Sequence, residues 1–340
     1  MDEASASSLV TFAEEAVPRL RGLDARAVLG ELEERYPDLV DAIQWFLAHG
    51  RPDESRRLAT ALTPFWMATK RLDEGSTLVD RTLAVPGGQD AQRGRSLFDA
   101  GYLAFWQGDD ERATDFANRA LALGRQIGDP TVIAIALSVL ARVALRTDAE
   151  EARRLAREAF AVTEGTADRV GRGHATHVLG VAAQMAGDFE EARGYMTERI
   201  DLARAAGNLA TVSSEAGNLS MVERQLGNLD RAEALSREAL DIDDRRGDEL
   251  GIPWKLNGLA AVEADRGSHE RAATLVGAAH GLLAAQGAGW PPDELVQYQR
   301  SVAILTAAMG SAEFERARAA GRSMSSRQAI DFALGARSAR

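Results

Sequence analysis

The stretch HATHVLGVAAQMAGDFEEARGY, residues 174–195, decides the fold, because its centre recurs along the chain. The turn GDFEEA at 187–192 returns as GNLDRA at 227–232 and GSHERA at 267–272, so the three glycines stand 40 residues apart. Upstream, TDAEEA begins at 147 and GDDERA at 108, and a weaker copy, KRLDEG, begins at 70. Self-similarity at such a period marks a chain assembled from one repeated supersecondary unit.

Other columns keep the same register. Five residues after each turn start lie Ala113, Ala152, Ala192, Ala232 and Ala272. Eight after it lie Phe116, Leu155, Tyr195, Leu235 and Leu275, and twelve after it Ala120, Ala159, Ala239 and Ala279, with Arg199 the exception. Spacings of three and four trace one face of a helix. Before the turns, Gly101, Gly180, Ser220 and Ala260 form a column of small residues that Leu140 breaks. Each unit therefore reads as a helix, a tight turn and a second helix, with small columns that let the two helices approach closely. A second punctuation, Gly128-Asp129, Ala167-Asp168, Gly207-Asn208 and Gly247-Asp248, suits a helix C-cap running into the next N-cap. No unit can cover its apolar face alone, so the units must stack.

These small, aromatic, Gly-Asp and Ala columns resemble the tetratricopeptide repeat, with a period longer than the usual 34 residues. The bulky residue usual near the start of the first helix is here Leu97, Ala136, Thr176, Ala216 and Leu256, a departure from that pattern. The resemblance implies an all-α fold, a right-handed superhelical solenoid of helical hairpins. We expect capping helices over 1–52, about six hairpins over 53–286 and closing helices over 287–340. The ends, FAEEAVPRLRG at 12–22, ELEERYPDLVDAIQWFLAHG at 31–50, ALTPFWMATKRLDEGSTLVDRTLA at 61–84 and RAATLVGAAHGLLAAQGAGWPPDELVQYQRSVA at 271–303, sharpen the likeness. They are similar to the C-terminal repeat region of large bacterial nucleotide-binding transcriptional regulators of the LuxR and SARP type. The nucleotide switch itself is not in this stretch: a phosphate-cradling loop needs Gly-Lys-Ser/Thr, whereas the two lysines, Lys70 and Lys255, follow Thr69 and Trp254.

Composition narrows the chemistry. A formal charge of −11 disfavours direct nucleic-acid binding. The absence of cysteine excludes disulfides, thiolate metal sites and thiol nucleophiles. The N-terminal MDEASASSLV lacks the basic-then-apolar order of a secretory signal, and the longest apolar run, VIAIALSVLARVAL, is too short to span a bilayer. A cytoplasmic protein without membrane partner is expected.

The tetratricopeptide likeness also implies which first-helix positions face a concave groove: thirteen, ten, six, three and two residues before each turn. From these columns we single out Arg95, Phe98, Tyr102, Trp106, His174, His177, Gln184, Met221, Arg224, Trp254 and Asn257 as candidate ligand contacts. Aromatics, methionines and scattered polar groups suit a surface that combines apolar area with a few orienting hydrogen bonds. His174 and His177 lie three apart rather than at the i, i+4 spacing of zinc-binding helices, and no carboxylate shares their face, so neither metal nor cofactor is expected. The remaining histidines, His49, His269 and His280, read as two solvated turn residues and one core position. The run DIDDRRGDE at 241–249 reads as a solvated helix end. The expected function is a non-catalytic scaffold that takes a peptide, a partner protein or a small effector, with a homodimer left open. Two alternatives stand beside it. One is a closed pocket lined by Phe98, Tyr102, His177, Met221 and Trp254 that senses a small molecule. The other is an enzyme using His174 or His177 as base with Asp265 as acid.

Overall fold

A computed structural model describes residues 1–287, 289–290 and 292–335. Among the described residues there are seventeen α-helices and no strand. The chain divides into two compact units at Asn208 and Leu209.

The first unit holds α1 (Glu3–Arg21), α2 (Ala25–Ala48), α3 (Pro52–Thr69), α4 (Leu72–Ala84), α5 (Asp90–Gln107), α6 (Asp110–Ile127), α7 (Pro130–Ala144), α8 (Ala149–Val162), α9 (Arg169–Ala186) and α10 (Phe189–Ala205). Helices α3 to α10 pair as four hairpins, and the first helices α3, α5, α7 and α9 stack on one another in order. Helices α1 and α2 pack on each other and on α3, closing the open face of the stack. Trp66 and Phe46 are fully buried there, and Trp66 Nε1 donates to the Tyr36 hydroxyl at 2.9 Å.

The turn chemistry follows from the sequence columns. Gly108 and Gly187 end α5 and α9 in the left-handed region, at φ 80° and 83°, where a side chain would be strained. Asp109, Asp129, Asp148 and Asp168 each accept hydrogen bonds from the first-turn N–H groups of the following helix. The weaker copy at 70 keeps the geometry without the glycine: Lys70 caps α3 at φ 59°, the one non-glycine residue of the described chain with positive φ. The turn at 147 departs from the rule. With no glycine available, α7 stops at Ala144, and Arg146 and Thr147 fill a looser connection before Asp148 starts α8.

The small columns are where the helices touch. Ala113, Ala152, Ala192, Ala232 and Ala272 are all fully buried. A Cβ at Gly101 would lie 3.2 Å from the Ala113 carbonyl, and one at Gly180 would lie 3.0 Å from Met196 Cγ. Close packing of this kind leaves no room for an added methyl without movement.

The second unit holds α11 (Leu209–Gln225), α12 (Leu229–Arg246), α13 (Ile252–Asp265), α14 (His269–Ala285), α15 (Pro292–Met309), α16 (Ser311–Arg322) and α17 (Ser326–Leu334). Two hairpins, α11/α12 and α13/α14, carry the same αL glycines, Gly227 and Gly267, at φ 78° and 80°. In the column that holds Gly101 and Gly180, Ser220 bonds directly to the partner helix: its hydroxyl donates to the Ala232 carbonyl at 2.8 Å. The closing helix α16 crosses α14 with almost nothing between the backbones. A Cβ at Gly321 would come within 1.9 Å of the Thr274 carbonyl oxygen, and one at Gly277 within 2.0 Å of the Arg318 carbonyl oxygen. Trp290 and His280 both stack on Tyr298, at 4.9 and 5.5 Å between centroids, so His280 packs within the cap. Pro291, next to Trp290, lies outside the described residues.

One reading is corrected here. The run at 241–249 is not simply solvated, because Asp243 and Arg246 are buried. Burial raises the Asp243 pKa, with Lys255 pulling the other way, and the bare Gly251 backbone leaves room for its carboxylate. Buried acids also recur at Glu223 and Glu263, each four residues before its turn and paired with Arg231 at 2.8 Å and Arg271 at 2.6 Å. Burial of these carboxylates is tolerated because each stays matched within its own hairpin by an arginine that reaches solvent.

Candidate functional site

The densest gathering of the expected contact residues lies in the first unit, on the first helices α5, α7 and α9. Helix α7 presents small residues where its neighbours present large ones: Ala134 and Ala141 are fully buried. A Cβ at Gly171 would lie 2.8 Å from Ala134 Cβ, so α9 comes close to α7 at this point. With α7 forming a low floor, side chains from α5 and α9 meet above it. The Phe98 and Tyr102 rings stack at 5.6 Å, and His174 meets them edge-on at 5.3 and 6.4 Å. Edge-to-face contacts at these distances direct the ring edge onto a π face. Trp106 continues the row, edge-on to Tyr102 at 6.1 Å, and is 50% exposed. From α7, the Arg142 guanidinium lies over Tyr102 at 5.8 Å.

Electrostatics sets the character of this recess. His174 keeps some exposure as a residue, but its Nδ1 atom is sealed from solvent and has no hydrogen-bond partner. Burial holds its pKa well below 6.5, and Arg199, Arg142, His177 and Arg21 push it in the same direction. It is therefore neutral at pH 7. His177 is half-buried one turn further along α9, and Gln184 is half-buried beyond it. Arg95 is exposed at the start of the α5 column, and Met185 is 58% exposed at the end of the α9 column. Neither Arg142 nor Arg199 was among the positions chosen from the sequence. The signal for Arg199 was present as a break in its alanine column; Arg142 gave none.

The remaining candidates belong to the second unit. Met221 is half-buried on α11, and Arg224 donates to the Asp265 carboxylate at 2.6 Å. That ion pair occupies the acid assigned to the enzyme alternative. Trp254 is 37% exposed. Asn257 is corrected: at 2% exposure it is not an accessible contact, because α13 is enclosed there by α11, α14 and α15. Among the described residues, no three His, Cys, Asp or Glu side chains gather in a way that could hold a metal ion. None of the helices searched is long and apolar enough to cross a membrane.

A separate groove of about 430 Å³ opens between α6, α7 and α8, floored by Leu121, Leu137, Leu140 and Leu155. Its rim charges are already paired with one another, Arg125 with Glu158 at 2.6 Å and Arg154 with Glu151 at 2.7 Å. The aromatic row is the better site, because it leaves half of the Trp106 indole in water.

Comparison with known proteins agrees with this architecture. A tetratricopeptide repeat model matches residues 216–242, from the middle of α11 into the last turns of α12. Proteins of Mycobacterium bovis and Mycobacterium tuberculosis, classed by inference as HTH-type transcriptional regulators, are 28% identical over 194 residues. That match covers 54% of this chain and only 22% of each regulator, so the chain spans a minor part of those relatives. A signal transduction ATPase with numerous domains and a tetratricopeptide repeat sensor, from Pyrococcus horikoshii, is 14% identical with a TM-score of 0.54, over 91% of this chain and 50% of that one. A Rap protein complexed with Competence and Sporulation Factor is 12% identical with a TM-score of 0.54, over 89% of this chain and 99% of that one. At such identities the likeness is one of fold. The chain is built from tetratricopeptide-like helical hairpins repeating every 40 residues, with a tetratricopeptide repeat recognised at 216–242.

Proposed function

We propose that the chain is a non-catalytic docking scaffold whose first unit binds a peptide or a segment of a partner protein along the α5–α7–α9 face, in a regulatory role. The observation that carries this reading is the row Phe98, Tyr102, Trp106 and His174, in which an indole is left half in water at one side of Tyr102 and a sealed, unpartnered imidazole nitrogen lies at the other. Exposed tryptophan and tyrosine are the residues that concentrate binding energy at interfaces, since they bury large area at little entropic cost. A core would have covered them. The Rap protein, complexed with its factor, and the regulator relatives support a sensing or docking role for hairpins of this kind. A small effector in the same recess is the second reading, favoured by the enclosed His174 edge. A cytoplasmic setting fits both readings.

The test is affinity capture from an extract of the source organism with the native chain and with the Tyr102→Leu/Trp106→Ala double variant. The variant loses the retained partner while keeping its helical circular dichroism and a cooperative melt, because half of the indole is already in water and leucine keeps apolar volume at position 102. Equal retention by both chains moves the docking surface elsewhere.

A further inference from the structure

The second unit shows what a groove between two second helices can hold. Helix α17 packs against α12, α13 and α14 and buries Ala329, Ile330 and Ala333. Arg237 of α12 and Arg271 of α14 donate to its last carbonyls, those of Leu334 at 2.7 Å and Ala333 at 2.8 Å. At its other end Arg327 donates to Asp244 of α12 at 3.3 Å. Leu334 follows Arg327 by seven residues and Asp244 follows Arg237 by seven, about 10.5 Å along either helix. The pairs run in opposite order, so α17 lies antiparallel to α12 in the trough between α12 and α14.

The repeat period carries this seat onto the open groove of about 430 Å³ between α6, α7 and α8. Counted from the turns, Arg237, Leu240 and Asp244 of α12 correspond to Asn118, Leu121 and Arg125 of α6. Arg271 and Leu275 of α14 correspond to Glu151 and Leu155 of α8, and Glu263 of α13 to Val143 of α7. Each of these first-unit residues lines the groove. Leu240 and Leu275 are fully covered, whereas Leu121 and Leu155 keep 7% and 8% exposure. The floor is also more apolar, with Leu140 at the position of Ala260 and Val143 at that of the buried Glu263. The next groove along closes itself. Its corresponding pair is Phe160 and Tyr195, whose rings meet edge-on at 5.9 Å with Arg172 over Phe160 at 4.1 Å. Two leucines are too short to meet in that way.

We propose that the α6–α7–α8 groove is a second docking surface, which seats a short amphipathic helix of a partner protein in the direction opposite to that of α17. Apolar residues spaced i, i+3, i+4 and i+7 on that helix cover Leu121, Leu140, Val143 and Leu155. The direction follows from charge. The carbonyl end of α17 meets two arginines, but the corresponding positions here hold Asn118 and Glu151, and Arg125 stands at the far end in place of Asp244. Acids favour a helix N-terminus and bases a C-terminus, so Glu151 takes the N-terminus of the incoming helix and Arg125 its C-terminus. Their ion pairs with Arg154 and Glu158 lie at the rim and stay in place while each charge faces the helix end. A second copy's α17, seated as it is in cis, would set Arg327 against Arg125 and its last carbonyls against Glu151, which disfavours that occupant.

The test uses the full chain and a fluorescein-labelled designed helix of about four turns, with Leu and Ala on one face and Glu and Lys on the other. Native chain binds this probe. The Leu121→Phe/Leu155→Tyr variant copies the pair that closes the next groove and binds roughly tenfold more weakly, the scale of losing one buried anchor. Trp106→Ala binds as the native chain does, because the aromatic row is a different surface. No binding by the native chain, or equal binding by the filled variant, overturns the proposal. Loss in Trp106→Ala instead assigns the probe to the aromatic row and also overturns it. A benzophenone on the probe gives a readout on native chain alone: at its N-terminus it cross-links to the start of α8, and at its C-terminus to α6 near Arg125. Cross-links outside α6–α8 overturn the site, and exchanged ends overturn the direction. Sedimentation that reports a dimer dissociated by the probe gives the groove to a second copy and overturns the partner-helix assignment.

Discussion

Substituting one methyl group at Gly321 tests how the second unit is closed. The Cβ of Gly321→Ala would stand 1.9 Å from the Thr274 carbonyl oxygen and 2.8 Å from the Ala278 nitrogen, where ordinary contact begins near 3.4 Å. Neither neighbour is a side-chain tip that can swing aside; both belong to the α14 backbone. Helix α16 must therefore retreat by about 1.5 Å, close to the 3.4 − 1.9 Å shortfall. A retreat of that size forfeits much of the dispersion contact along the crossing, and overpacking of this kind costs about 1–3 kcal/mol. It also loosens the fully buried Phe314, whose partial exposure adds roughly 1–2 kcal/mol. Alanine is the better helix former and returns about 1 kcal/mol. The net loss is about 1–4 kcal/mol, which for a unit of this size lowers the melting temperature by roughly 10 °C at the middle of that range. Differential scanning calorimetry of the full chain reads this directly, with Gly194→Ala on α10 as the control. No atom lies within 4 Å of a Cβ at Gly194, so that variant holds or gains stability. If Gly321→Ala melts with the native chain, the backbone contact does not hold the cap and the reasoning fails.

Other outcomes follow from single residues. Asp99 is buried against Thr60, and burial lifts its pKa to about 7 from 3.8. The native state therefore holds this proton more tightly than the unfolded chain, and stability of the first unit falls as pH rises from about 4 to 7. Asp99→Asn should flatten that decline and be the more stable form at pH 8, as urea titrations at pH 6 and 8 would show. His174 has the opposite sign: its pKa lies below the unfolded value, so its contribution is present above pH 6.5 and is lost as the pH falls toward its depressed native value. Ring resonances of His174 should stay at the neutral position from pH 7 to 6 and begin to titrate at higher pH in Arg199→Gln; titration near 6.5 in the native chain would refute the buried assignment. Lys70→Gly relieves a left-handed residue and should stabilise by up to about 1 kcal/mol in chemical denaturation, the relieved strain being partly offset by the greater freedom of glycine when unfolded.

Most of the fold was legible because the residues that punctuate it act locally. Gly108, Gly187, Gly227 and Gly267 each need positive φ, and Asp109, Asp129 and Asp168 each cap the helix that follows them, so turn positions could be read from short-range chemistry alone. Alanine columns were legible for the same reason: a helix face has a fixed period. What could not be read is the set of choices made by tertiary contact. The enclosure of Asn257 depends on how α15 packs against α13, and the burial of Asp243 depends on the absence of a side chain at Gly251. The α14–α16 crossing joins residues some 40–50 apart whose only mark in the sequence is a pair of glycines in helical runs. At the candidate site, the periodic columns located Phe98, Tyr102, Trp106 and His174. They did not show that the small side chains of α7 would let α5 and α9 meet above it, which is what brings Arg142 and Arg199 into the recess.

The glycine and the capping residue at most of the turns bear on how such a chain reaches its native state. Each hairpin contains its own stop signal, its own start signal and the small column that lets its two helices close. Its contacts are therefore mostly made within about 40 residues, with the next hairpin as the main remaining neighbour. Loop closure over such short distances is fast, and local topologies of this kind fold quickly for their length. A growing polypeptide could thus complete one hairpin after another as each leaves the ribosome, each finished hairpin offering the apolar face on which the next condenses. The looser α7–α8 connection, which lacks the left-handed glycine, is where that progress should pause.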